Sequence, residues 1–316
     1  MHNYRSEFYY IIKPFIPRKL QIFLRRQLIC LRWMKYRKLW PIDEKACASP
    51  AGWCGWPDGK KFALVITHDV DTETGHNRCL DLMKLDENLG FCSSFNFVPL
   101  KYPVSPIIRR TIVDHGFEVG VHGLYHDGKY YMTKNIFFER AARINKYLKE
   151  WHAVGYRAPA MYPKLELFHN LEIEYDASTF DTDPFEPHAV GVSTIFPFVV
   201  RDNSSQKGNG YIELPYTLPQ DFTLFVLLQK RNIDIWKEKL DWITQHGGMA
   251  LINTHPDYMN FSEKELNDEE YPVRYYEDFL KYIKTQYAGQ YWHVLPKDVA
   301  RFWRDNYSNS APDNSE

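Results

Sequence analysis

Short apolar runs that each end in a polar, titratable cluster constrain this chain more than any other feature. Phe62 to Thr67 leads into Thr67-His68-Asp69-Val70-Asp71. Phe117 to Val121 leads into His122-Gly123-Leu124-Tyr125-His126, and Met249 to Asn253 leads into Asn253-Thr254-His255-Pro256. Runs this short are buried strands rather than helices. A strand apolar on both faces belongs to a parallel sheet covered by helices. Such folds collect their chemistry beyond the carboxyl ends of the strands, which is where the polar clusters lie.

The intervening segments have helical spacing. Residues 76–90 read as a helix closing at Gly90, and 106–115 as a helix with Gly116 as its C-cap. Thr133 can cap a helix running to about Trp151, and another spans about 232–246, ending at Gly247-Gly248. Phe91–Val98, Val154–Tyr156, Tyr211–Leu214 and Tyr291–Leu295 are further strand candidates. Strands alternating with helices predict parallel βα units, in total a closed or nearly closed barrel of seven or eight strands. At 316 residues such a barrel is one domain.

The two ends differ from this middle. Arginines and lysines recur through residues 1–40 against the single acid Glu7. Leu20, Phe23, Leu24, Leu28 and Leu31 recur at helical spacing with arginines between them. This predicts a basic amphipathic helix, lying either on an anionic membrane or against the domain. No apolar run reaches the ~18 residues of a membrane span, and the recurring charges argue against an export signal. The five cysteines (Cys30, Cys47, Cys54, Cys79, Cys92) have no zinc-site spacing and read as reduced thiols. These features together predict a cytoplasmic protein, peripheral on the inner membrane face. A net charge of -1 argues against bulk nucleic-acid binding. Residues 308–316 are a polar tail expected to be disordered.

His122 and His126, spaced i, i+4, can be aimed at one ion by a helical turn or a tight loop. Asp71 or Asp69 can supply a third ligand. Three protein ligands leave room for water and substrate, as catalytic metal sites require.

The order of these clusters resembles the polysaccharide deacetylase family (carbohydrate esterase family 4) over roughly residues 60–300. Thr67-His68-Asp69-Val70-Asp71 resembles its first motif in an Asp-x-Asp form. His122-Gly123-Leu124-Tyr125-His126 resembles the His-Ser/Thr-x-x-His motif, with Gly123 in place of the hydroxyl residue. Arg157-Ala158-Pro159 resembles Arg-x-Pro, and Ile252-Asn253-Thr254-His255 resembles the motif carrying the last histidine. The resemblance implies a distorted (β/α) barrel of seven or eight strands, with residues 46–307 as the catalytic domain and 1–45 as a basic N-terminal segment. It implies a divalent metal, zinc being favoured, held by Asp71, His122 and His126, with Asp69 as base and His255 as acid. Because the second carboxylate stands one position later than usual, the roles of Asp69 and Asp71 can be exchanged. Arg157 would orient the base, and the Ala160 amide would help hold the oxyanion. Asp176, Asp181 and Asp183 are the candidate partners of Arg157 or His255.

The implied activity is removal of acetyl groups from an N-acetylated sugar of a polysaccharide or lipid-linked envelope glycan. The bound ion would polarise the acetamide carbonyl and acidify water. Asp69 would take the proton of the attacking water, and His255 would protonate the departing amine. Tyr162, Trp53 and Trp56 are candidates for stacking on sugar rings, with packing as the competing reading. Some Asp-x-Asp relatives lack the metal and hydrolyse cyclic ureides, so a metal-independent amidohydrolase on a small cyclic amide is one alternative. A catalytically inactive glycan-binding protein is the other.

Overall fold

A computed structural model describes residues 16–37, 40–127, 134–161, 164–186, 190–202, 210–262 and 265–307. Tyr162, Thr133, the first fifteen residues and the tail from Ser308 lie outside the described residues.

The elements follow the expected alternation. α1 (Arg18–Tyr36) precedes β1 (Phe62–Val70), α2 (Glu73–Leu89), β2 (Ser94–Phe97), α3 (Pro106–Asp114) and β3 (Glu118–His122). α4 (Lys134–Trp151), β4 (Gly155–Arg157), β5 (Tyr175–Asp176), β6 (Phe198–Val200) and β7 (Tyr211–Glu213) come next. A π-helical turn, Phe222–Leu227, leads to α5 (Asp234–His246), β8 (Met249–Thr254), β9 (Met259–Asn260) and β10 (Tyr271–Pro272). α6 (Arg274–Gln286), β11 (Tyr291–His293) and α7 (Pro296–Tyr307) are the last of the described elements. Gly90 closes α2 in the left-handed region as expected, while the helix starts earlier than residue 76, at Glu73, where Thr72 caps it by accepting from the Gly75 amide.

Nine strands form one curled sheet in the order β11-β1-β2-β3-β4-β5-β7-β6, with β8 on the other edge of β1. All pairings in it are parallel except β6 with β7. That antiparallel strand and the two-residue β5 are departures from the uniform βα expectation. The curl brings the far end of the sheet back to β8 without a regular strand pair between them. Thr217 makes the closure: its amide and that of Leu218 donate to the Leu251 carbonyl at 3.1 Å each. Its hydroxyl donates to the Met249 carbonyl and accepts from the Leu251 amide. The fold is thus a distorted, nearly closed (β/α) barrel.

β1 is buried along its whole length because β8 flanks one edge while β11 and β2 share the other. Side chains alternate across a strand, and here the alternation sorts the chemistry. His68 points outward to the helices, where its Nε2–H donates to Asp86 and Nδ1 accepts from Thr254. His68 is thus a packed imidazole rather than part of the inner face. Trp53 and Trp56 pack in a cluster with Trp292, Phe302, Trp303 and Tyr307, so packing rather than sugar stacking describes both.

Candidate metal and catalytic site

A spacing of two places Asp69 and Asp71 on the same, inner face of β1 and its continuation. Strand register then builds the floor of the site. Asp69 stands beside Asn96 of β2, Asn96 beside Gly120 of β3, and His122 beside Arg157 of β4. Asn96 Nδ2 donates to Asp69 Oδ1 at 2.9 Å, and Asn253 Nδ2 from β8 donates to Oδ2 at 2.8 Å. Arg157 Nη1 lies 3.5 Å from the same Oδ2. Burial opposes ionisation of Asp69, but Arg157, then His122 and His255, outweigh it and hold the carboxyl below its usual value.

Asp71 faces different partners. His122 Nε2 lies 3.3 Å and His126 Nε2 3.1 Å from its Oδ1. That oxygen is buried and no hydrogen bond of adequate geometry satisfies it. Burial opposes ionisation here too, yet His126 and His122 keep the carboxyl well below the normal range. Burial in turn lowers the pKa of His126, against the pull of Asp71, and so favours the neutral imidazole. His122 Nδ1 meets the Arg157 carbonyl at 3.1 Å, which fixes the proton there and turns the Nε2 lone pair toward Asp71. An orphaned carboxylate oxygen facing two imidazole nitrogens fits a divalent cation: one oxygen and two nitrogens, each within 4.8 Å of the others.

The two histidines come together through a tight loop rather than a helical turn. Gly123 (φ 63°) and His126 (φ 55°) are both left-handed, a conformation that costs a non-glycine residue energy and clusters at functional sites. A Cβ on Gly123 would sit 2.2 Å from Pro159 Cγ. The glycine that departs from the usual motif is therefore required by the adjacent Arg157-Ala158-Pro159 segment. Within that segment the Ala158 amide donates to Ser178 Oγ, and Pro159 has no N–H. Ala160 is the next amide-bearing residue and lines the cleft.

His255 follows β8 and completes the wall. Its Nδ1 donates to Asp221 Oδ1 at 2.7 Å, and its own amide donates to Asp221 Oδ2 at 2.8 Å. Tyr271 Oη and the Phe222 amide also donate to this carboxylate. Burial would lower the His255 pKa, but Asp221, with smaller help from Asp71 and Asp69, raises it to about 10. His255 is thus an imidazolium at neutral pH.

The sequence did not reveal Asp221 as this partner, nor Asn96 as a support for Asp69. Of the three acids named as candidate partners of Arg157 or His255, Asp181 and Asp183 are engaged elsewhere, while Asp176 is held by its own hydroxyl partner and also feels the charge of Arg157. Asp176 accepts from Ser178, Asp181 pairs with Lys239 at 2.5 Å, and Asp183 accepts from the Phe185 amide and Tyr216. Asn96 left one trace, a polar residue inside the apolar run Phe95-Asn96-Phe97. Asp221 left none in spacing.

Asp69, Asp71, His122, His126, Ala160 and His255 open on one cleft of about 960 Å³. Arg157 is fully buried beneath it, its guanidinium without a hydrogen bond. Asp257 adds a carboxylate at the edge, accepting from the Asp71 amide and from Thr72. Burial, reinforced by Asp71, pushes its pKa to about 6.

No protein-family model and no curated protein matches the sequence. Solved structures do. A Mycobacterium smegmatis protein assigned as a polysaccharide deacetylase superposes with TM-score 0.62 at 19% identity, covering 81% of this chain and 95% of that one. A Pseudomonas aeruginosa PAO1 protein of the same assignment gives 0.64 at 18%, covering 85% and 99%. An allantoinase gives 0.64 at 17%, with the same coverage. The chain has the polysaccharide deacetylase fold.

Proposed function

We propose that this protein is a metal-dependent hydrolase that removes acetyl groups from an N-acetylated sugar of a polysaccharide or lipid-linked glycan. One observation carries the reading: the unsatisfied, buried Asp71 Oδ1 directed at two imidazole nitrogens. Asp71, His122 and His126 would hold the ion, zinc suiting the donor set although other divalent metals share it. When bound, it supplies Lewis acidity to the acetamide carbonyl and to water.

The other residues then have separate tasks. Asp69, held by Asn96, Asn253 and Arg157 and kept ionised, takes the proton of the attacking water. Arg157 acts through Asp69 as a positioning residue. The Ala160 amide supports the developing oxyanion. His255, held protonated by Asp221, gives its Nε2 proton to the amine as the C–N bond breaks. Tyr162 remains the proposed contact for the sugar ring. The catalytic unit spans residues 46–307. Segment 1–45 makes a peripheral contact with the inner membrane face, and the substrate belongs to the cell envelope.

A metal-independent amidohydrolase on a cyclic amide is the competing activity, because one fold neighbour is an allantoinase. The intact trio of Asp71, His122 and His126 weighs against it. The test is metal content and acetate release from N-acetylated sugars, for the wild type and His122→Ala/His126→Ala. One equivalent of divalent metal, lost together with activity in the variant, is expected. A metal-free wild type that stays folded after metal supplementation would exclude the metal-dependent reading.

A further inference from the structure

α1 divides its two faces sharply. Gln21, Ile22 and Ile29 are buried against the domain, and Arg25 stacks over Phe222 at 4.8 Å. The opposite face presents Leu20, Phe23, Leu24, Leu28, Leu31 and Met34, each 46–67% exposed. Six large apolar side chains in one continuous helical stripe form a patch of the kind that marks an interaction surface. No described helix is long and apolar enough to cross a membrane.

Charge identifies the occupant. No acid occurs between Glu7 and Asp43. Of the α1 arginines, Arg18 pairs with Glu269. Arg26 and Arg32 are held instead by carbonyls: Val226 and Asp268 for the first, Pro184 and Glu186 for the second. Among the described residues neither forms an ion pair. A second copy would bring an identical acid-free basic helix against this one. Residues 1–15, with Arg5 and Lys13 against Glu7, would add positive charge rather than cancel it. An anionic bilayer matches both the apolar stripe and its cationic flanks.

The same helix is a wall of the cleft, contributing Arg18, Lys19, Gln21 and Arg25 to its lining beside the catalytic residues. We propose that α1 lies in the surface of an anionic bilayer and seats the cleft mouth there, so that the substrate is an acetamido sugar carried on a membrane-embedded lipid. The substrate half rests on the deacetylase reading; the docking half does not.

The test uses the full chain with vesicles of phosphatidylcholine, with and without phosphatidylglycerol, and the variant Leu24→Glu/Leu28→Glu/Leu31→Glu, whose altered residues all face solvent. Co-sedimentation is read without substrate. The wild type is expected to pellet with the anionic vesicles, more weakly as salt is added, and the variant at least about tenfold less. Turnover is then compared on an N-acetylglucosaminyl phosphodiester of a long-chain lipid in those vesicles and on its short-chain soluble analogue. The anchored form should be favoured by about tenfold or more, an advantage the variant loses while keeping its soluble turnover. A wild type that stays in the supernatant, or a variant that pellets equally, overturns the docking. Self-association abolished by the variant would assign the face to a second copy instead. Vesicle binding with equal turnover of both substrates overturns the substrate half. Vesicle binding with turnover of neither counts against the deacetylase reading and leaves the docking standing.

Discussion

Asp221→Asn tests the reasoning most severely, because it changes charge at the site while keeping size. Asp221 accepts from His255 Nδ1, the His255 amide, Tyr271 Oη and the Phe222 amide. An asparagine has one acceptor oxygen, so either orientation turns its NH2 toward two of these donors. The least costly escape is loss of the His255 Nδ1 proton, after which the neutral ring accepts from the new amide. The His255 pKa, raised against burial chiefly by Asp221 from 6.5 to about 10, should therefore fall to its ordinary range or below. At about 1.4 kcal/mol per pH unit, the imidazolium preference lost is of order 5 kcal/mol. Part of it comes from Asp71 and Asp69, and a cation at Asp71 would remove that residue's share. Asp221 is then the partner that matters in the loaded site.

The assay is the pH profile of kcat/KM for acetate release, with metal content as a control. A positioned general acid contributes about 10²–10⁴-fold, so a loss of order 10²–10³ at neutral pH is expected, with the alkaline limb moving down by pH units. Stability follows the same linkage. His255 is charged in the folded state up to about pH 10 and loses its charge near 6.5 when unfolded. Its contribution is therefore complete below 6.5 and fades as pH rises toward 10. The melting-temperature gap between wild type and variant should narrow over that window. An unmoved alkaline limb, or kcat/KM within about threefold of wild type, would refute the assignment of His255 as an Asp221-held acid.

Two further substitutions probe the supports. A Cβ at Gly120 would lie 2.1 Å from Asn96 Oδ1. Gly120→Ala should therefore push Asn96 off Asp69, costing roughly tenfold or more in kcat and about 1–3 kcal/mol in stability while metal binding persists; unchanged kcat would contradict the role given to Asn96. Lys239→Met strands Asp181, whose buried carboxyl already sits at about 6 beside the lysine. Urea titration at pH 7 should show a loss of about 3–5 kcal/mol, shrinking as pH falls toward 6 and levelling off below it, because the stranded Asp181 takes its proton at a higher pH than the paired one; a loss under about 1 kcal/mol at pH 7 would show that the pair is not compensating buried charge.

What the sequence disclosed depended on whether a residue's neighbours were local or distant. β1, β3 and β8 were legible because burial on both faces leaves continuous apolar runs. β1 nevertheless runs on to Val70, three residues past the apolar stretch, because inward-facing Asp69 is paid for by donors from β2, β4 and β8 that no local pattern shows. β5 was invisible, since two residues carry no periodicity. Closure through Thr217 depends on side-chain bonds to a strand more than thirty residues away. The partner of His255, left open in the sequence, was hidden for the same reason. Asp176, Asp181, Asp183 and Asp221 all lie between the Arg157 and His255 motifs, and it is the π-helical turn beginning beside Asp221 that brings that one to His255.

The ambiguity between Asp69 and Asp71 is where register adds most. Both lie on one face of one strand, so sequence spacing treats them alike. Their neighbours do not: the nearest partners of Asp69 are two amides and a guanidinium, donors that stabilise an anion, with His122 Nε2 farther off at 4.0 Å. Asp71 meets two imidazoles whose lone pairs can bind an ion. This difference supports the proposed division in which Asp69 stays charged and accepts a proton while Asp71 shares a cation. The same barrel carries both deacetylases and an allantoinase, so fold alone cannot choose between their chemistries. The choice rests on Asp71 Oδ1, which the protein buries and leaves unsatisfied. A buried acceptor without a partner costs about 1–3 kcal/mol, and a bound cation is what would recover that cost.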